Sequence, residues 1–397
     1  MKAFVGMVAL AALAGLAQGA VSIKDNKVTV TPDAGSRTVK VAYELVGDDG
    51  VVTFDVLKGG VSIGGQFLKN TSGDIGQVLS AGPHEFVWYA DTEWCENVAL
   101  GAVTVKVEAW ALDNPPDYMV CDLVTGRTRY YTQPDALPGE GGVTNDIYRT
   151  YKLVMRKVPA KGVQWRMGLV EGEGTGPSGT ETQHYVTMTN DYYIGVFEFT
   201  VGHLRRVTDT FGTAETTANA VLPTRSLTWT NVRGSTNGST RPTDDSYIGK
   251  LRTRVKGIEF DLPTDEQWEY ACRAGSGGYF SNGATDDREM GWYKENSKLP
   301  GEADYHPHPV GTKKANSWGI YDMHGNVWEL TRDGWYDPTT DSVTESLHAP
   351  SSGNKVMRGG CYRHEAKWYS HSAHRLNRGT GAQEDQGFRV ACPAIAK

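Results

Sequence analysis

Asp322 and Glu329 are the charged oxygen donors of the stretch Ile320-Tyr321-Asp322-Met323-His324-Gly325-Asn326-Val327-Trp328-Glu329-Leu330, and the carbonyls of Gly325 and Val327 lie between them. Hard cations take carboxylates together with backbone carbonyls, so this spacing has the make-up of a calcium loop, although not of the helix-loop-helix kind. The competing reading is a tight Gly-Asn turn that buries Trp328 and pairs its carboxylates with arginines. A second concentration of chemistry follows in Cys361, His364, His371 and His374. Cys-x-x-His and His-x-x-His spacings can ligate zinc, iron or copper. Against that stands a plainer expectation, in which Cys361 fills the place of a small residue and both later histidines are ordinary polar neighbours of Arg375. Arg358, Arg375 and Arg389 read as structural arginines that anchor carbonyls or carboxylates.

Several elements must position these groups. Residues 262–275 (LPTDEQWEYACRAG) carry a capping box, with Thr264 as N-cap and Gln267 at N3. Pro263 and Gly275 mark the ends, so a helix is expected with Trp268, Ala271 and Cys272 facing inward. Upstream, 184–188 and 193–197 alternate as two strands of an expected hairpin. Residues 198–207 read as a helix with Phe199, Leu204 and Val207 on one face. A loop is expected over 231–245, a second helix over 247–255, and a further loop over 170–179. His306-Pro307-His308 reads as a solvated turn.

Six blocks in order carry a family resemblance. They are Tyr193-Ile194-Gly195-Val196-Phe197-Glu198-Phe199-Thr200, LPTDEQWEYACRAG, GIYDMHGNVWEL, RGGCY (358–362), His371-Ser372-Ala373-His374-Arg375 and GFRVA (387–391). Over roughly 151–393 the chain resembles the sulfatase-modifying-factor, or formylglycine-generating-enzyme, family. The resemblance implies an elaborated C-type-lectin-like fold and a structural calcium held by Asp322, the carbonyls of Gly325 and Val327, and Glu329. It also raises a second calcium site, for which Asn296 matches one ligand and no clear downstream Asp is found. Active members oxidise a sulfatase cysteine with oxygen and copper held by two thiolates. Those cysteines stand three residues past the Ser of the RGGSW block and five further on. Counted from Cys361, the positions hold His364 and Tyr369, and no Cys lies between Tyr362 and Ala391. Copper and iron are therefore not expected, and Cys361 and His364 remain the only catalytic candidates.

The remainder of the chain suggests an exported, two-domain α+β protein. Lys2, an apolar run over 3–16 and Ala17-Gln18-Gly19-Ala20 have the form of a secretory signal peptide over 1–20. This implies a secreted or periplasmic location. Residues 21–120 alternate in short runs (Val28-Thr29-Val30-Thr31, Val39-Lys40-Val41-Ala42-Tyr43) and are expected to form an immunoglobulin- or fibronectin-like β-sandwich. Residues 121–150 read as a connector, and 151–393 as the enzyme-like domain. With 47 glycines and 39% hydrophobic residues, the composition suits short strands and long loops. A formal charge of −7 without a basic run argues against nucleic acid, and no later segment is long and apolar enough to span a bilayer. The five cysteines leave at least one free thiol, with Cys95 and Cys121 a plausible pair. Two functions stay open: a non-enzymatic binding or scaffold module for a protein or glycan ligand, and a metal- and oxygen-dependent oxidoreductase.

Overall fold

The computed structural model describes residues 20–33, 35–90, 103–169, 181–210, 217–234, 240–282, 288–348 and 353–396. The expected signal peptide, the loop over 170–179 and Cys95 with its proposed pairing lie outside the described residues, apart from Ala20. Cys121 is described, and its thiol is free and buried.

The N-terminal strands are β1 (Ser22–Asp33), β2 (Thr38–Val46), β3 (Gly50–Lys58), β4 (Val61–Ser62), β5 (Thr71–Gly73), β6 (Val78–Leu79), β7 (Gly82–Trp88) and β8 (Val103–Ala111). They form one sheet in the order β1-β2-β7-β5 and another in the order β4-β3-β6, with β8 pairing along β3. Alternation drives this. Val39, Val41, Tyr43 and Leu45 of β2 point inward, as period-two patterning requires, and join Phe86, Trp88, Val52 and Val56 in one apolar cluster.

The next strands are β9 (Tyr118–Asp122), β10 (Thr128–Tyr131), β11 (Lys152–Val158), β12 (Gln164–Met167), β13 (His184–Thr187) and β14 (Tyr192–Gly195). Helices α1 (Val201–Thr208), α2 (Thr217–Ala220), α3 (Trp229–Arg233), α4 (Tyr247–Arg254) and α5 (Asp265–Arg273) follow. The chain closes with β15 (Trp328–Gly334), β16 (Val343–Thr344), β17 (Lys355–Arg358), α6 (Ala366–Tyr369), β18 (Leu376–Arg378), β19 (Gln386–Gly387) and β20 (Ala391–Pro393). Three further sheets result, in the orders β10-β9-β11-β14-β20, β12-β13-β16 and β18-β17-β15-β19. The fold is thus mixed α and β, rich in sheet.

Four expectations are corrected. The stretch read as a connector carries β9 end and β10, which hydrogen-bond into the sheet of β11, because Val120 and Tyr130 have a buried face to fill. β13 and β14 do not pair as a hairpin: β13 joins β12 and β16, while β14 lies between β11 and β20. The first helix starts at Val201, since Thr200 is its N-cap, and Glu198 stays outside it. Residues 231–233 belong to α3, capped by Thr228, rather than to a loop.

Helix α5 follows its local code. The Thr264 side chain accepts from the Gln267 N–H at 3.1 Å, and the Gln267 side chain accepts from the Thr264 N–H at 3.1 Å. Ala274 ends the helix in the left-handed region, one residue before Gly275. Trp268, Ala271 and Cys272 are fully buried, so Cys272 is a core residue. Replacing Thr264 with Ala is expected to lower stability by about 1 kcal/mol in urea denaturation, with Thr264→Ser close to wild type. Equal stability of all three proteins would show that the cap contributes nothing.

Candidate functional site

Glu329 lies at the centre. Its two carboxylate oxygens receive Nε and Nη2 of Arg389, each at 2.6 Å, and Oε2 also accepts the indole N–H of Trp268 at 2.7 Å. Arg389 donates onward to the carbonyls of Gly195 at 2.9 Å and Tyr321 at 3.0 Å. One buried ion pair therefore joins β14, α5, the 320–330 loop and the 387–391 segment. The loop folds back through left-handed backbone at Asp322, Gly325 and Asn326. At Gly325 a Cβ would stand 2.3 Å from the Trp292 carbonyl, so only glycine fits.

Two more carboxylates share this interior. Glu198 accepts from the Val327 N–H at 3.0 Å and from the Asn326 amide at 2.6 Å. Asp322 accepts from the Gly311 N–H at 2.6 Å through Oδ2, while its buried Oδ1 has no hydrogen-bond partner among the described residues. Neither forms an ion pair among the described residues. Burial pushes the Asp322 carboxyl up to about 6, and Glu329 adds to the rise. Burial, then Asp322 and Glu329, push Glu198 well above the usual carboxylate range. Among the described residues only Arg389 pairs directly with an acid of this group, so ionising Glu198 and Asp322 as well would leave buried negative charge without a paired cation. Asn296 is differently occupied: its Oδ1 accepts from the Tyr293 N–H at 2.7 Å and its Nδ2 donates to the Gly291 carbonyl at 3.0 Å, clamping the loop.

Cys361 and His364 do come together. The sulfur lies 3.3 Å from His364 Nδ1 and donates to Asp385 Oδ2 at 3.4 Å. The Trp328 indole N–H donates to the same Nδ1 at 3.2 Å, and Arg378 holds the other Asp385 oxygen at 2.8 Å. One donor atom from each of Cys361, His364 and Asp385 falls within 4.8 Å of the others. Cys361 is fully buried, and burial, reinforced by Asp385, pushes its thiol far above the ordinary range. It is a thiol at neutral pH rather than a nucleophilic thiolate. Burial lowers His364. Tyr369, the other position reached by counting, packs its ring 4.6 Å from that of His364.

Arg358 and Arg375 are structural, as expected. Arg358 pairs with Asp265 and, at 3.0 Å, with Glu269, while Arg375 pairs with Asp265 at 2.8 Å. His306-Pro307-His308 is a correction: His308 is buried, stacks on Trp292 with centroids 3.7 Å apart, and bonds the Ser297 carbonyl at 2.8 Å. Its burial comes from the loop closing around Asn326, which accepts the His308 N–H. Glu198 and Asp385 were not singled out as site residues. Glu198 lies in the Glu-Phe-Thr block of the resemblance, which was a usable signal, whereas Asp385 had none.

Comparison with known proteins places these residues in context. A family profile described as "Sulfatase-modifying factor enzyme 1-like domain" matches residues 155–394. The formylglycine-generating enzyme of Mus musculus is 31% identical over 142 residues, covering 33% of this chain and 38% of that one. The formylglycine-generating enzyme of Streptomyces coelicolor is 32% identical over 146 residues, covering 33% of this chain and 46% of that one. The chain thus spans less than half the length of these relatives. Among solved structures, Treponema denticola variable protein 1 superposes with a TM-score of 0.48 at 22% identity, covering 61% of this chain and 95% of that one.

The Asp265 node has a pH signature. Burial alone would raise this carboxyl, but Arg358 and Arg375 outweigh it and hold it at about 2, against an ordinary 3.8. A lowered folded value stabilises the protein above the unfolded value, and that contribution is lost as pH falls from about 4 toward 2. The stability gap between wild type and Asp265→Asn should therefore shrink by about 2 kcal/mol across that window. Unfolding free energies measured at each pH check this, and a constant gap would remove the pair from the acid response.

Proposed function

The chain belongs to the sulfatase-modifying factor enzyme 1-like family, and from that premise we propose that it is a divergent, non-enzymatic member acting as a binding or scaffold module. The observation that supports this reading is the state of Cys361. Its sulfur faces His364 and Asp385, and the two positions that would hold a copper dithiolate by count carry His364 and Tyr369. Soft thiolates are what Cu(I) requires, and a lone, buried, protonated thiol does not supply them.

In this reading the first twenty residues direct export, the two N-terminal sheets form an immunoglobulin- or fibronectin-like sandwich used as a spacer, and the family domain presents its loops on a C-type-lectin-like frame. A cavity of about 510 Å³ between the start of α5 and the end of β20 offers a surface for a polar ligand, a glycan or a peptide. It is lined by Lys161, Asp191, Arg252, Glu259 and Arg332, among others, so it carries both signs of charge. Calcium stiffens the interior of the 320–330 loop. The donor chemistry fits a hard cation: Asp322 keeps an unpaired buried oxygen, and the acids of this interior outnumber its bases. Asp322 and the carbonyls of Gly325 and Val327 would hold the ion, with Glu198 adding charge; Glu329, expected as a ligand, is instead taken by Arg389 and Trp268. The ion supplies compensation for buried carboxylates, not a reaction step.

A second reading, a metal- and oxygen-dependent oxidoreductase, draws on the approach of Cys361, His364 and Asp385 within 4.8 Å. Incubating the purified chain with a cysteine-containing peptide, Cu(I) and oxygen separates the two. No aldehyde product and no oxygen uptake are expected, together with binding to a glycan or peptide panel that Arg332→Glu weakens and Cys361→Ser leaves intact. Turnover abolished by Cys361→Ser would replace the binding role with catalysis.

Calcium has its own check. Saturating calcium is expected to raise the melting temperature of wild type and to leave that of Asp322→Asn unmoved. The asparagine keeps the left-handed turn, so a still calcium-sensitive variant would place the ion elsewhere.

A further inference from the structure

We propose that Glu181, His371 and His374 form a buried binding site for one divalent transition-metal ion of the zinc or iron(II) class, distinct from both the 320–330 loop and the Cys361 cluster. One donor atom from each residue lies within 4.8 Å of the others. Glu181 is 3% exposed and each histidine 1%. Glu181 Oε1 and His374 Nδ1 are 2.9 Å apart. Two ligands in adjacent positions on an ion, with bonds of about 2.0–2.1 Å, stand about 2.9–3.3 Å apart, so the spacing suits shared coordination.

The independent observation is what the histidines lack. Both ring nitrogens of His371 and Nε2 of His374 are buried with no hydrogen-bond partner among the described residues. Native interiors rarely leave such groups unpaired, because each has given up its hydration for nothing. His308 and His324 show the usual alternative, with ring nitrogens spent on the Ser297 and Ser370 carbonyls. The Cys361 cluster also differs, since its donor atoms already bond one another and Trp328. At the Glu181 site the unused lone pairs belong to the residues that converge.

Donor type sets the class of ion. Two imidazoles and a carboxylate, with no sulfur, suit zinc or iron(II) rather than Cu(I). Depth sets the role. With every ligand almost wholly buried, the ion ties the segment entering β13 to the turn before β18, beside the Arg375–Asp265 pair. It acts as a cross-link between segments far apart in the chain.

The test uses the full chain, stripped with phenanthroline (which takes zinc and iron but not calcium) and then titrated separately with zinc and iron(II) against a chromophoric chelator. One equivalent of either ion should bind folded wild type and raise its melting temperature, the tighter-binding ion identifying the resident metal. Affinity should fall at least about tenfold in Glu181→Gln and in His371→Ala. Glu181→Gln, which keeps the side chain's volume, carries the test where the cavity left by His371→Ala lowers the stripped protein's own melting temperature. Cobalt substitution should give ligand-field bands without a sulfur-to-metal charge-transfer band. Failure of folded wild type to bind either ion overturns the proposal. So does binding that survives His371→Ala but is lost in Cys361→Ser, with a sulfur band in the cobalt spectrum.

Discussion

The Glu329–Arg389 pair is the constraint around which the family domain closes. A buried carboxylate and guanidinium are tolerable only if each is fully bonded. Here the carboxylate takes both forks of the arginine and the Trp268 indole, and the arginine satisfies the Gly195 and Tyr321 carbonyls. Those partners come from four separate parts of the chain, so no one of them reaches its place alone. β15 carries this pair to a second ionic centre, because Glu329 stands opposite Arg358 across the β15–β17 ladder. Arg358 then draws in Asp265 and Glu269 of α5, and Arg375 completes the set from the other side of Asp265.

This division explains why a domain of short strands holds together. Regular elements here are brief: α6 spans Ala366–Tyr369 and β19 only Gln386–Gly387. Long loops leave many backbone carbonyls without ladder partners, and buried arginines with five donors each are suited to collect them. Arg358 alone reaches the Ala373 carbonyl at 3.0 Å and the His374 carbonyl at 3.2 Å. Around Asp265 two arginines meet the carboxylate directly. Asp322 and Glu198, by contrast, are held by backbone and amide N–H groups and pair with no cationic side chain among the described residues.

What could be read from the sequence follows from how local each feature is. The α5 capping box spans Thr264 to Gln267, and its prediction needed nothing beyond four consecutive residues. Alternation in β2 was equally plain. Pairing partners were not: β13 and β14 are neighbours in sequence, yet each is committed to a different sheet by strands far from it. The apolar face of Phe199, Leu204 and Val207 extends the expected helix back to Glu198, although Thr200 is the residue that starts one. Site membership was least legible of all. Asp385 joins Cys361 through a turn that carries no signal of its own, and Glu181 meets His374 across 193 residues. His371 and His374 had the spacing of ligands, but the carboxylate that gives the spacing a meaning lies in a different part of the fold.

The ionic frame of this chain and the cluster around Cys361 are separate sets of contacts. Arg358, Arg375 and Arg389 bond to α5, to the 320–330 loop and to backbone carbonyls, none of which involves Cys361 or His364. The pair His364 and Tyr369 instead sits on the far end of the RGG turn and on α6, with contacts to Trp328, Cys361 and each other. His364 and Tyr369 thus pack as a pair of their own, apart from the ion pairs of the frame arginines. None of the scaffold's ion pairs therefore depends on the residues at positions 364 and 369. Family membership rests on the match over residues 155–394, and the ion pairs that close that domain, Glu329–Arg389 and Arg358–Asp265, lie apart from positions 364 and 369.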